Sequence, residues 1–125
     1  MEFREAQAIY LQIAEYVCEQ ILLGRWKEGD RIPSVRELGV VLEVNPNTVM
    51  RAYDLLQNRE IIFNRRGVGY FASDDAGQKI TQYRKKQFLE QDLPVVFKNM
   101  SLLGMTFKEL ENEYHKFKNK NHENK

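Results

Sequence analysis

Between Ser34 and Tyr70 the chain carries start signals for two helices in close succession and then a cationic, glycine-bearing hairpin, all in under forty residues. Ser34-Val35-Arg36-Glu37 is a capping box: the serine accepts from the amide three residues on, and the glutamate reaches back. Eleven residues later Asn45-Pro46 opens the next helix, an N-cap acceptor followed by proline where no amide is needed. Val44 and Val49 occupy the two positions of a hydrophobic staple around that start. Ile61-Ile62-Phe63, Arg65-Arg66, Gly67-Val68-Gly69 and Tyr70-Phe71 then read as two strands about a tight basic turn. Helix, short turn, helix, hairpin is the layout of a winged helix-turn-helix, a module that binds DNA.

The flanking segments complete the expected fold. Ile9, Ile13, Val17 and Ile21 recur every fourth residue, so a first helix is expected over about residues 8–23, ended by Gly24. The second helix, about 35–42, should bury Val35, Leu38 and Leu42; the third, about 46–59, should bury Val49, Ala52, Tyr53 and Leu56. The opposite face of the third helix carries Asn47, Arg51, Asp54 and Asn58: small polar groups near its start and a longer cation behind them, as a recognition helix needs. After residue 73 the pattern changes. A largely helical stretch, about 78–103, is expected to kink or break at Pro94. Gly104 ends it, and Thr106-Phe107-Lys108-Glu109 is a second capping box. The expected organisation is a DNA-binding domain over residues 1–73, a helical dimerisation region over 78–118 and a disordered tail over 119–125. The fold class is mostly α with a small β-hairpin.

At 125 residues the chain holds one small domain and an appendage. Residues 1–75 carry 9 basic and 12 acidic side chains, net −3, and residues 76–125 carry 10 and 6, net +4. Overall charge therefore does not point to nucleic acid; the placement of cations has to. No apolar run is long enough to span a membrane, and Met1-Glu2-Phe3-Arg4-Glu5 lacks a signal-peptide pattern, so a cytoplasmic location is expected. Cys18 is the single cysteine and is read as a small buried hydrophobe. His115 and His122 stand without cysteines or paired carboxylates at ligand spacing, so neither metal nor cofactor is expected. No nucleophile–base pair or phosphate-cradling loop supports an enzyme.

Several blocks in order resemble one family. Arg31-Ile32-Pro33-Ser34-Val35-Arg36-Glu37-Leu38, Val44-Asn45-Pro46-Asn47-Thr48-Val49, Arg51-Ala52-Tyr53 and Gly67-Val68-Gly69-Tyr70-Phe71 resemble the GntR family of bacterial transcription regulators, and its YtrA subfamily in particular. The resemblance implies operator-binding homodimers, more often repressors than activators, that read inverted repeats and often control neighbouring transporter operons. The short tail is similar to the two-helix dimerisation element of YtrA-like members and leaves no room for the larger effector or pyridoxal phosphate domains of other branches. Carried over, Ser34 and Arg36 would hold the phosphate backbone or reach a base edge; Asn45, Asn47, Thr48 and Arg51 would enter the major groove. Arg31, Arg65, Arg66, Gly67 and Gly69 complete the expected DNA-binding set, with the wing tip in or near the minor groove. Met50 departs from the pattern, because many members place a base-reading arginine there.

Each feature has a plainer alternative. Arg36 is otherwise a solvated helix residue, Arg65-Arg66 are otherwise edge-strand charges, and Asn47 and Thr48 otherwise serve the helix start. Lys79, Arg84, Lys85 and Lys86 are read as a solvated face. Phe88, Leu93, Phe97, Met100, Phe107, Leu110, Tyr114 and Phe117 are read as a dimer seam, with a small-molecule pocket as the alternative and no effector identified. The rival to operator binding is a winged helix that docks protein or RNA.

Overall fold

The computed structural model describes residues 7–123, with side chains through residue 121. The reading of residues 1–5, the imidazole of His122 and the last two residues of the expected tail lie outside the described residues. The element order is α1 (Ile9–Leu22), α2 (Val35–Leu42), α3 (Pro46–Asn58), β1 (Ile62–Arg65), β2 (Gly69–Ala72), α4 (Ala76–Gln87), α5 (Leu93–Leu103) and α6 (Phe107–Glu123).

The local signals act where the sequence puts them. α1 ends at Gly24, whose φ of +75° is the left-handed conformation glycine adopts without cost. At α2 both arms of the capping box form, Glu37 N to Ser34 Oγ at 3.0 Å and Ser34 N to Glu37 Oε1 at 3.1 Å. The turn to α3 closes tightly: Val44 N donates to Gly39 O at 2.9 Å, and a Cβ on Gly39 would lie 3.0 Å from the Val44 carbonyl oxygen. Asn45 Oδ1 then accepts from Asn47 N at 2.8 Å, and Pro46 follows as the first helical residue.

β1 and β2 pair antiparallel, with Ile62 opposite Ala72, Phe63 opposite Phe71, Asn64 opposite Tyr70 and Arg65 opposite Gly69. The chain before α2 adds to the free edge of β2. Gly29 N donates to Ala72 O, Ala72 N to Asp30 O and Ile32 N to Tyr70 O, and Arg31 bridges Phe71. A continuous core lies beneath, built from Ile13, Val17, Leu38, Val49, Leu56 and Ile61 among others, all at most 1% exposed. Val49, Ala52, Tyr53 and Leu56 are buried as expected, while Val35 and Leu42 are half-buried against the same core.

Two boundaries differ from the sequence reading, and the break expected at Pro94 takes a specific form. The chain divides into two compact units at Arg84–Lys85, not near residue 73, because Ala76, Ile80 and Tyr83 of α4 are buried in the first unit. The expected helix over 78–103 is divided by a π-helical turn, Phe88–Asp92, in which the Leu93 amide donates to the Phe88 carbonyl. Pro94 has no amide to return to the preceding turn, so the ladder is re-registered just ahead of it, and α5 restarts with proline in its first turn. α6 continues through Glu123, past the expected end at 118. Side-chain pairs support it, Glu111 with His115 at 3.6 Å and Glu113 with Lys116 at 3.3 Å, and Lys116, Lys118 and Lys120 bring positive charge to the carbonyl end of the helix.

Candidate nucleic-acid interface

Of the residues expected to meet DNA, Arg31, Arg36, Asn45, Asn47, Arg51, Arg65, Arg66 and Gly67 are exposed, and Ser34, Thr48 and Gly69 are half-buried. Non-local contacts join these elements. The guanidinium of Arg31 lies against Gly69: a Cβ there would sit 2.8 Å from Arg31 Nε, and the glycine has φ +138°. Arg31, which precedes α2, thus rests on the base of the wing. On the other side Tyr70 of β2 donates its hydroxyl to Met50 Sδ of α3 at 3.6 Å. Tyr70 also meets Tyr53 edge-on, centroids 4.9 Å apart, and the Tyr53 hydroxyl donates to the Pro33 carbonyl at 2.7 Å. Burial pushes the Tyr53 phenol well above its ordinary pKa.

The cations are ordered by aromatic faces. Arg51 lies over the Tyr10 ring at 3.9 Å. Arg65 lies over Phe71 at 4.7 Å, and Phe71 stacks with Phe63 at 5.6 Å. A guanidinium resting on a ring can still offer N–H donors to an acceptor. Arg66 and Gly67 form the turn, Gly67 at φ +77°. Ser34 Oγ accepts from the Glu37 amide, and Asn45 Oδ1 is likewise engaged in its cap. The Ser34 amide, then the Ser34 hydroxyl, hold the Glu37 carboxyl below its usual range, and the Arg31 charge adds a smaller pull the same way. Lys79, read as solvated, instead pairs with Glu60 at 3.0 Å and ties α4 to the end of α3.

Tyr10 carried no signal of this role, because its helical spacing marks it only as a flank of the α1 apolar face. The tether between Met50 and Tyr70 depends on the strand register and was also illegible.

The second unit is described by itself. Phe88, Leu93, Phe107, Leu110 and Tyr114 line one cavity of about 370 Å³, together with Val96 and Glu111, which the sequence reading did not single out. Val96 lies one helical turn beyond Leu93 and Glu111 adjoins Leu110, the only signals they offered. Phe97, Met100 and Phe117 are not part of that lining. Among the described residues no helix is long and apolar enough to cross a membrane.

Residues 9–71 match the model of the bacterial regulatory proteins of the gntR family. The HTH-type transcriptional repressor YtrA of Bacillus subtilis (strain 168) is 39% identical over 88 residues, spanning 70% of this chain and 68% of that protein. A crystal structure from Bacteroides thetaiotaomicron, described as a transcriptional regulator of the GntR family, superposes with a TM-score of 0.80 at 46% identity, covering 91% of this chain and 99% of that one. The DNA-binding domain of AraR, in complex with operator ORR3, matches with a TM-score of 0.53 at 25% identity over 58% of this chain and 86% of that one. With the family model spanning its capped helices and wing, this chain belongs to the gntR family of bacterial regulatory proteins: it is a YtrA-like transcriptional regulator with a DNA-binding winged helix-turn-helix.

Proposed function

We propose that the protein is a repressor that binds an inverted-repeat operator as a homodimer, each subunit placing α3 in the major groove and its wing at the adjacent minor groove. The observation that carries the reading is the exposure of Arg31, Arg36, Asn47, Arg51, Arg65 and Arg66, with Arg31 resting on the base of the wing and Tyr70 of the wing tied to Met50 of α3. The first amides of α2, those of Val35 and Arg36, add donors that a phosphate can meet. Sequence similarity to the YtrA repressor supports the sign of regulation. By the same resemblance, a neighbouring transporter operon is the proposed target.

The dimer reading draws on α5 and α6. No residue of α5 is fully buried, and Phe97, Leu102, Leu103, Phe107, Tyr114 and Phe117 are all more than half exposed. So much apolar surface on two short helices is costly in water, and a second copy offers a matching surface. The experiment is selection of binding sites from a random duplex library, followed by footprinting and sedimentation of the complex. The proposal expects a two-fold symmetric site and two chains per duplex. An asymmetric site held by one chain would overturn it.

A further inference from the structure

The exposed stripe of α3 consists of Asn47, Met50, Arg51, Asp54 and Asn58. Four of these offer hydrogen bonds or charge; Met50 is the apolar exception and is 40% exposed. Its thioether is tethered, because the Tyr70 hydroxyl donates to Sδ at 3.6 Å. Tyr70 in turn packs edge-on against Tyr53, which is wholly buried and anchored to the Pro33 carbonyl. A line of contacts from the loop before α2, through a buried tyrosine and the wing strand, thus ends on one exposed methionine.

In a DNA major groove each base edge presents donors, acceptors or both, and thymine alone adds a methyl group. An apolar, polarisable side chain held among polar neighbours complements that methyl. We propose that Met50 is a base-reading residue specific for thymine, contacting its C5-methyl group, and that Tyr70 is the positioning residue that holds Met50 toward it. Cytosine at the same place lacks the methyl and presents an amino donor to a side chain that makes a poor acceptor. The proposal rests on the reading of α3 as the recognition helix.

The test uses duplexes enriched by the protein from a random library, resynthesised with deoxyuridine replacing each thymine in turn, which removes the methyl and nothing else. At one thymine per half-site the wild-type protein is expected to lose about three- to five-fold in affinity, the worth of one buried methyl group. Met50→Ala should bind thymine and uracil duplexes equally at that position. Tyr70→Phe keeps the ring on Tyr53 and should shrink the thymine-to-uracil ratio, which a purely structural role would leave unchanged. Enriched sites without thymine, no effect of uracil on the wild type, or an undiminished effect in Met50→Ala would each overturn the proposal. If no sequence is enriched at all, the reading of α3 fails and the thymine contact fails with it.

Discussion

The guanidinium of Arg51 lies over the ring of Tyr10, 3.9 Å from its centroid, so the first helix of the domain orders a cation on the third. An arginine already resting on a ring surrenders less rotamer freedom on meeting an acceptor. Arg51→Ala is therefore expected to lower the preference for specific over random DNA by about 1–3 kcal/mol. Arg36, on the first turn of α2, is expected to behave differently. Arg36→Ala should weaken all duplexes alike and reduce the salt slope by about one, as loss of a phosphate contact does. Titrating both variants against selected and scrambled duplexes separates the roles, and equal loss on both duplexes for Arg51→Ala would remove it as a base reader.

Gly69→Ala tests the join between Arg31 and the wing. The new Cβ would lie 2.8 Å from Arg31 Nε at a φ of +138°. Arg31 must move and the backbone must strain, at a cost of about 1–3 kcal/mol. Chemical denaturation should show the loss. Gly67→Ala meets no atom within 4 Å and bears only its positive φ, so it should cost less.

Tyr53→Phe removes the hydroxyl that donates to the Pro33 carbonyl at 2.7 Å and leaves that oxygen without its donor. A loss of about 1–3 kcal/mol in unfolding free energy is expected, with the fold retained because the ring stays in the core. A neutral result would show that water takes over the carbonyl.

Cys18 gives an alkaline signature. Its thiol is wholly buried, and burial pushes its pKa from 9.0 up to about 11. The folded state favours the neutral thiol, so this contribution is fully present below pH 9 and is lost as pH rises through about 11. Over that window the shift is worth about 2–3 kcal/mol. Cys18→Ala should flatten the stability profile between these limits, and thiol reagents should label the native wild-type protein slowly.

The DNA-binding unit was legible wherever its information is local. The capping box of Ser34 and Glu37, the Asn45-Pro46 start and the Arg66-Gly67 turn each specify structure within a few residues, and all three formed. Contacts that depend on register or packing were not legible. Arg31 reaches Gly69 only because the segment before α2 zips onto β2, and Arg51 meets Tyr10 only once α1 and α3 are packed. The π-helical turn before Pro94 reflects the same limit: proline announces a break but not its form. In α4 the spacing of Ala76, Ile80 and Tyr83 marks one apolar face, but the polar composition around it does not show that this face completes the first core.

The most direct test of the central claim is fluorescence anisotropy of the purified protein on a library-selected duplex and on its scrambled counterpart, across a series of salt concentrations. Site-selective binding that saturates at two chains per duplex is expected. On both duplexes affinity should fall linearly with salt on logarithmic axes, by about 10³-fold or more between 50 and 200 mM if six or more phosphates are met. Weak binding, equal on the two duplexes and indifferent to salt, would contradict it and turn the winged helix toward a protein or RNA partner.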